Sequence, residues 1–252
     1  MNDVKENITN WIKEYAKKYN KNLVIGISGG IDSAVTSTLC AETNLKTIVV
    51  SMPIHQNNAE LIRAQKHMNW LKNNYKNIET IEIDLSIVFD QFKKTIGKIS
   101  QNKLALANSR ARLRMTTLYQ IAGHKNGLVI GTGNKIEDFC IGFFTKYGDG
   151  GVDLSPIGDL MKSEVFSLAK ELNIINDIQK AKPTDGLWDD GRNDEDQIGA
   201  TYQEIENAIK NINTEKTNLS EREKKVIEIY LNYQKINQHK MKPIPVCYLA
   251  KD

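Results

Sequence analysis

One stretch limits what this chain can fold into: Leu23-Val-Ile-Gly-Ile-Ser-Gly-Gly-Ile-Asp-Ser33. A mostly apolar run opens it, a glycine turn follows, and residues able to start a helix close it. An apolar run bounded by turn signals suits a strand buried on both faces, the usual condition in a parallel sheet. Gly29 and Gly30 permit positive φ and close backbone approach. Asp32 and Ser33 suit a first helical turn, where backbone N–H groups lack partners. Strand, glycine turn and helix N-terminus together make an anion site. The turn is not a G-x-x-x-x-G-K-[ST] phosphate loop, because no lysine follows Gly30, and it is not G-x-G-x-x-G. An anion here depends on N–H groups and the helix dipole, and Asp32 beside it makes sense through a bridging cation. A plain strand-to-helix turn capped by Asp32 is the other reading of the same residues.

The chain repeats this alternation. An amphipathic helix is predicted over 4–20, with Ile8, Trp11, Ile12 and Tyr15 on one face. A helix over 32–42, a buried strand over 46–52 stopped by Pro53, and a helix over 57–74 follow. The strand over 78–83 alternates with polar residues and is expected near the sheet edge. Helices over 86–97 and 101–123 precede a strand over 128–132. These are βαβ units with right-handed crossovers. The fold class is therefore α/β: a single domain with a doubly wound, mostly parallel sheet flanked by helices. Ligands in such folds sit at the C-terminal strand ends, which puts Ser28 and Thr132 at one rim.

The helix over 101–123 carries Leu104, Ala107, Ala111, Met115, Leu118 and Ala122 as a stripe longer than one sheet face needs. That predicts pairing with a second copy in a C₂ dimer. Beyond Thr132 the pattern fades into a glycine- and charge-rich segment over 142–156, then a helix over 160–172. Residues 181–199 read as a long polar, acidic loop, with 185–196 as a mobile lid. The acidic run from Asp189 to Asp196 reads as solvated. Ser220 and Glu223 form a capping box that opens a C-terminal helix and tail over 220–252.

The totals exclude some roles. A net charge of +3 over 252 residues gives no support to a nucleic-acid or membrane partner. Three widely spaced cysteines, with no CxxC pair, indicate neither a zinc site nor a disulfide framework, so a reducing, cytoplasmic setting is expected. The polar first residues lack a signal-peptide core, and no apolar run reaches membrane-span length.

Ser28-Gly-Gly-Ile-Asp-Ser33 resembles the S-G-G-x-D-S pyrophosphate loop of the adenine nucleotide α-hydrolase-like group. Its members split ATP into AMP and pyrophosphate while adenylating a carbonyl or carboxyl oxygen. Later segments narrow the resemblance to the ammonia-dependent NAD synthetase family. They are Ala111-Arg-Leu-Arg-Met115, Gly131-Thr132 with Glu137, Gly142-Phe-Phe-Thr-Lys-Tyr-Gly-Asp-Gly-Gly-Val-Asp153, Lys182-Pro-Thr184 and His239-Lys240. The likeness runs from about residue 4 to about residue 245.

The resemblance implies a C–N-bond-forming ligase that amidates nicotinate adenine dinucleotide with free ammonia through an acyl-adenylate. It implies ATP, as co-substrate, along Gly26, Ile27, Ser28, Gly29, Gly30, Ile31, Asp32 and Ser33, with Thr132, Lys162 and Thr184 completing the site. It implies Mg²⁺ on Asp32 and Glu137, and the acid dinucleotide on Arg112, Lys146, Asp153, His239 and Lys240. It places Asp32, Lys162 and Asp153 in catalysis; no general base is evident, and Asp153 is the carboxylate kept for the ammonium proton. A homodimer is implied as well.

The residue types suit these roles. Two carboxylates on separate loops can share one Mg²⁺ with phosphate oxygens. Lysines and an arginine fork suit phosphate or carboxylate. Taken singly, Glu137 and His239 also suit a plain surface, and Arg110, Arg112 and Arg114 a solvated helix face. Phe143, Phe144 and Tyr147 suit either a core or ring stacking. Many family members have G-T-D-H-A-A-E where this chain has Gly131-Thr-Gly-Asn-Lys-Ile-Glu137, a departure centred on Gly133. Three alternatives stay open: the same chemistry on nicotinate mononucleotide, another pyrophosphate-loop ligase, and a non-enzymatic nucleotide-binding module.

Overall fold

The apolar run after residue 22 becomes an inner strand. The computed structural model describes residues 2–184, 193–213 and 218–249. Helix α1 (Asn2–Lys18) leads into β1 (Asn22–Gly26), α2 (Ile31–Glu42), β2 (Thr47–Ser51), α3 (Asn58–Asn74) and β3 (Ile78–Glu82). Helices α4 (Ser86–Ile96) and α5 (Lys103–Lys125), joined by a 3₁₀ turn, then carry the chain back to β4 (Gly127–Ile130). The strand order is β3-β2-β1-β4, and every pairing is parallel. Val24 faces Ile48 on one side and Val129 on the other. All of β2 is buried, whereas no residue of β3 is, as a central and an edge strand should differ. The sheet grows one way from β1 and restarts on its other side at β4. The crevice between them is the topological switch point where doubly wound folds bind ligands.

Alternate strand residues feed two cores. Leu23, Ile25, Val49 and Ile130 pack with Ile12, Leu39 and Leu71, and with Leu168 of α6 (Lys162–Glu171). Val24, Ile48, Val50 and Val129 pack on Phe89, Met115 and Leu118. After the short helices α7 (Asn176–Gln179) and α8 (Asp194–Ile198), α9 (Tyr202–Asn211) and α10 (Glu221–Met241) form a third cluster. There Ile205, Val226 and Tyr230 close over Ile136 and Ile141 of a π-helical turn, Lys135–Ile141.

Several expectations change. Helix α1 buries Ile12 and Ala16, while Trp11 and Tyr15 are exposed. On α5, Ala107, Ala111, Met115, Leu118 and Ala122 are all buried within this chain, and only Leu104 of the stripe is exposed. The chain's own sheet face therefore uses the surface that was expected to be spare for a second copy. The polar run 181–199 ends in a helix, α8, capped by Asn193 in a box with Asp196. Residues 185–192, most of the expected lid, lie outside the described residues.

Candidate functional site

The glycine turn folds around its own hydroxyls. Ser28 and Ser33 place their Oγ atoms 3.1 Å apart; the Gly30 N–H donates to Ser28 Oγ at 3.1 Å, and Ser33 Oγ donates to the Gly30 carbonyl at 3.0 Å. Gly29 has φ +85°, and a Cβ there would lie 2.5 Å from the Glu60 carbonyl oxygen. Only glycine meets both conditions. Gly30 caps α2 without a side-chain bond, so the first N–H groups of that helix open towards the crevice.

Beside the turn sits a buried cation. Lys162, only 2% exposed, opens α6 and sends Nζ to Asp32 Oδ2 at 2.7 Å and to Glu137 Oε1 at 2.9 Å. Burial alone would lower the pKa of this ammonium, but the two carboxylates outweigh it and raise it, so Lys162 stays charged. Burial likewise pushes the Glu137 carboxyl up, yet Lys162 and a Tyr202 hydroxyl bond bring it below the usual range. Asn134, fully buried, ties the two acidic residues together. Its Nδ2 donates to Asp32 Oδ1 at 3.0 Å, and its Oδ1 accepts the Glu137 N–H at 3.1 Å.

Gly133 leaves room for a neighbouring carboxylate. A side chain on Gly133 would run into the carboxylate of Asp138, which the π-helical turn brings over the backbone. Asp138 lines the same cavity, and burial, then the charges of Asp149 and Glu137, raise its pKa well above the carboxylate range. Asp149 is pushed up to about 6 by burial, in spite of the Thr145 N–H that it accepts.

Gly26, Ile27, Ser28, Gly30, Ile31, Asp32 and Ser33 all line one cavity, together with Thr132, Glu137, Lys162 and Thr184. Of the residues expected at ATP, only Gly29 stays out of the lining, and its part is backbone shape. The residues expected at the acid substrate do not line this cavity. Four of them interlock around the loop 143–149. Arg112 Nε donates to the Lys146 carbonyl at 3.2 Å, Lys146 Nζ to the His239 carbonyl at 2.9 Å, and Lys240 Nζ to the Phe144 carbonyl at 2.7 Å. The structure does not bring Asp153 to either group. Its carboxylate accepts the Val129 N–H at 2.8 Å and the Tyr119 hydroxyl at 3.1 Å, holding β4 in place.

Sequence reasoning missed Asn134, Asp138, Asp149, Arg114 and Tyr202. Arg114, read only as one of three helix arginines, lines the cavity and bonds the Met52 carbonyl and Gln56 Oε1. The Thr201-x-x-Glu204 capping box was the available signal for α9 and thus for Tyr202. Asp194 corrects the solvated reading of the acidic run: it is buried and shares the Tyr202 hydroxyl.

Asp32 and Glu137 both reach one point, Lys162 Nζ, so one cation can meet both. Two carboxylates with phosphate oxygens and water are what Mg²⁺ accepts. Among the described residues no group of three or more His, Cys, Asp or Glu is placed to hold a metal alone. The donor set therefore fits a metal that arrives with a phosphate.

The family model for NAD synthase matches residues 4–244. The NH(3)-dependent NAD(+) synthetase of Carboxydothermus hydrogenoformans is 39% identical over 209 residues, which is 81% of this chain and 83% of that protein. The Mesoplasma florum protein of the same name is 41% identical, over 79% of this chain and 80% of its own. The structure of NMN synthetase from Francisella tularensis superposes with a TM-score of 0.88 at 32% identity, covering 98% of both chains. The NH3-dependent NAD synthetase from Campylobacter jejuni superposes at 0.79 with 30% identity, covering 98% of this chain and 99% of that one.

Proposed function

Because the chain belongs to the NAD synthase family, we propose that its cavity adenylates the carboxylate of nicotinate adenine dinucleotide with ATP and passes the acyl group to free ammonia, giving NAD, AMP and pyrophosphate. The observation that carries this is the Lys162 ammonium held between Asp32 and Glu137 beside an anion-binding turn. Transferring AMP to a carboxylate brings anions together, so positioning and charge neutralisation are what the site must supply. The turn and the open N-terminus of α2 would hold the triphosphate. Lys162 would take the charge on the phosphoryl oxygens. Thr132 and Thr184 offer hydroxyls to ribose or phosphate. Asp32 and Glu137 would hold Mg²⁺, which supplies charge neutralisation at the departing pyrophosphate. Arg112, Lys146, His239 and Lys240 are the proposed acid-substrate contacts. The Arg112, Lys146 and Lys240 cations rest on carbonyl oxygens, which leaves their positive charge free to attract a carboxylate or phosphate.

The test is pyrophosphate release with ATP, Mg²⁺ and ammonium, comparing the acid dinucleotide with the acid mononucleotide. Dinucleotide-dependent release with NAD as product supports the reading; no release with either acceptor ends it. A second reading keeps the chemistry and shortens the acceptor to the mononucleotide. It is supported by the likeness to the Francisella NMN synthetase and would show as the opposite preference.

A homodimer forms part of the proposal, through a surface other than the α5 stripe. On α4 and the 3₁₀ turn that follows it, Ile87 and Ile99 stand 84% and 76% exposed, apolar side chains that a second copy could cover. Sedimentation at micromolar concentration should give the dimer mass, and Ile87→Lys should shift it towards the monomer. A cytoplasmic location is supported by three free cysteines, of which Cys40 and Cys140 are buried. No helix among the described residues is long and apolar enough to cross a membrane.

A further inference from the structure

We infer that Tyr202 is a positioning residue of the adenylating site: its ring seats the Lys162 ammonium and its hydroxyl clamps Glu137, with Asp194 as the second acceptor that sets how firmly. The inference rests on the roles proposed above for Asp32, Glu137 and Lys162.

Tyr202 begins α9, far along the chain from the glycine turn, yet it is buried against the site. Its hydroxyl donates to Glu137 Oε1 at 2.5 Å and lies 3.2 Å from Asp194 Oδ2. The centre of its ring is 4.7 Å from Lys162 Nζ. Its backbone N–H donates to Glu195 Oε1 at 2.9 Å, so Asp194 and Glu195 of α8 are both fastened to this one residue. Packing alone would be served by phenylalanine. A buried hydroxyl costs free energy unless bonded, and both partners of this one are carboxylates.

The consequences follow from donor counts. A phenol carries one proton, so Glu137 and Asp194 compete for it. Lys162 and Tyr202 converge on the same Glu137 oxygen, Oε1, and Oε2 takes neither of them. Both donors thus hold Glu137 by Oε1, fixing the orientation of the carboxylate proposed to hold the cation. A ring face attracts an ammonium without fixing its direction. Lys162 can therefore turn from the carboxylates towards a phosphate and remain seated.

The test uses the full chain. Tyr202→Phe keeps the ring and removes the hydroxyl. Mn²⁺ is titrated calorimetrically into protein holding a non-hydrolysable ATP analogue, so the readout needs no turnover. The expected result is a roughly tenfold or larger loss of metal affinity, the usual cost of removing a partner that orients a ligand. The unfolding midpoint should fall modestly, since Lys162 still holds Glu137, while kcat should fall and KM for the acid acceptor should be unchanged. Asp194→Asn alone should change metal affinity a few-fold, and should add nothing in the Tyr202→Phe background, because Asp194 acts through the hydroxyl. Wild-type metal affinity in Tyr202→Phe, or losses that simply add in the double variant, would overturn the inference. Should Tyr202→Phe not fold, Asp194→Asn with unaltered metal affinity would overturn it equally. Absence of amidation with either acceptor, with the metal effect intact, would end the proposed function and leave Tyr202 as the positioning residue of another reaction.

Discussion

Two charged regions of this molecule are built in opposite ways. At the cavity, Lys162, Asp32, Glu137 and, behind them, Tyr202 come from four separate elements and hold one another through charged hydrogen bonds. Around the loop 143–149, Arg112, Lys146 and Lys240 spend their hydrogen bonds on main-chain carbonyls. The first arrangement stores compensated charge in a dry place, where losing one member strands the others. The second orders a loop and leaves net positive charge at a surface, where an anionic substrate can use it. The groups proposed for the adenylating site and those proposed for docking the acid substrate thus differ in what holds them, even where the residue types are the same.

Removing Lys162 should break the first region hardest. Lys162→Met strands two carboxylates and is expected to cost about 3–5 kcal/mol in denaturant unfolding. Pyrophosphate release should fall about 10²–10³-fold. A variant of wild-type stability would mean that the cluster is not compensated as described.

His67 sharpens the contrast, being a buried ionisable group that bonds the neutral hydroxyl of Ser37, at 2.9 Å, and no carboxylate among the described residues. Burial lowers its pKa to about 4 from an ordinary 6.5. The folded state thus refuses a proton that the unfolded chain accepts. Its contribution is fully present above pH 6.5 and is lost as pH falls through about 4. That loss should reach about 3 kcal/mol relative to His67→Gln, measured as unfolding free energy against pH.

Gly29→Ala tests the turn rather than the charges. A positive φ and a clash with the Glu60 carbonyl should cost about 2–3 kcal/mol and raise KM for ATP. The rim should respond least in stability. Lys146→Ala or Lys240→Ala is expected to change unfolding free energy by less than about 1 kcal/mol. KM for the acid substrate should nonetheless rise about tenfold, the cost of one charged contact, with KM for ATP unmoved.

Much of the frame was legible because buried parallel strands and glycine turns leave local marks. Ser28 and Thr132 were expected at one rim and do line one cavity, and β3 is the edge strand that its polar alternation suggests. What escaped depends on residues distant in sequence meeting through tertiary packing. Asn134 has meaning only once Asp32 and Glu137 lie on either side of it. Gly133 is explained only by the π-helical turn that delivers Asp138, and no periodicity announces such a turn. The α5 stripe misled because an apolar face does not say which surface covers it. Asp153 carried a motif position, yet the structure spends it on the Val129 N–H and the Tyr119 hydroxyl.

If this cluster transfers AMP to a substrate carboxylate, an oxygen of that carboxylate leaves with the AMP. The transfer can be tested by following the carboxylate oxygens. The acid acceptor, labelled with ¹⁸O in its carboxyl group, would be converted with ATP, Mg²⁺ and ammonium, and the phosphorus products analysed by mass. Attack at the α-phosphorus predicts one ¹⁸O in AMP and none in pyrophosphate. Label in orthophosphate, with ADP as the other product, would mean attack at the γ-phosphorus and would rule adenylation out.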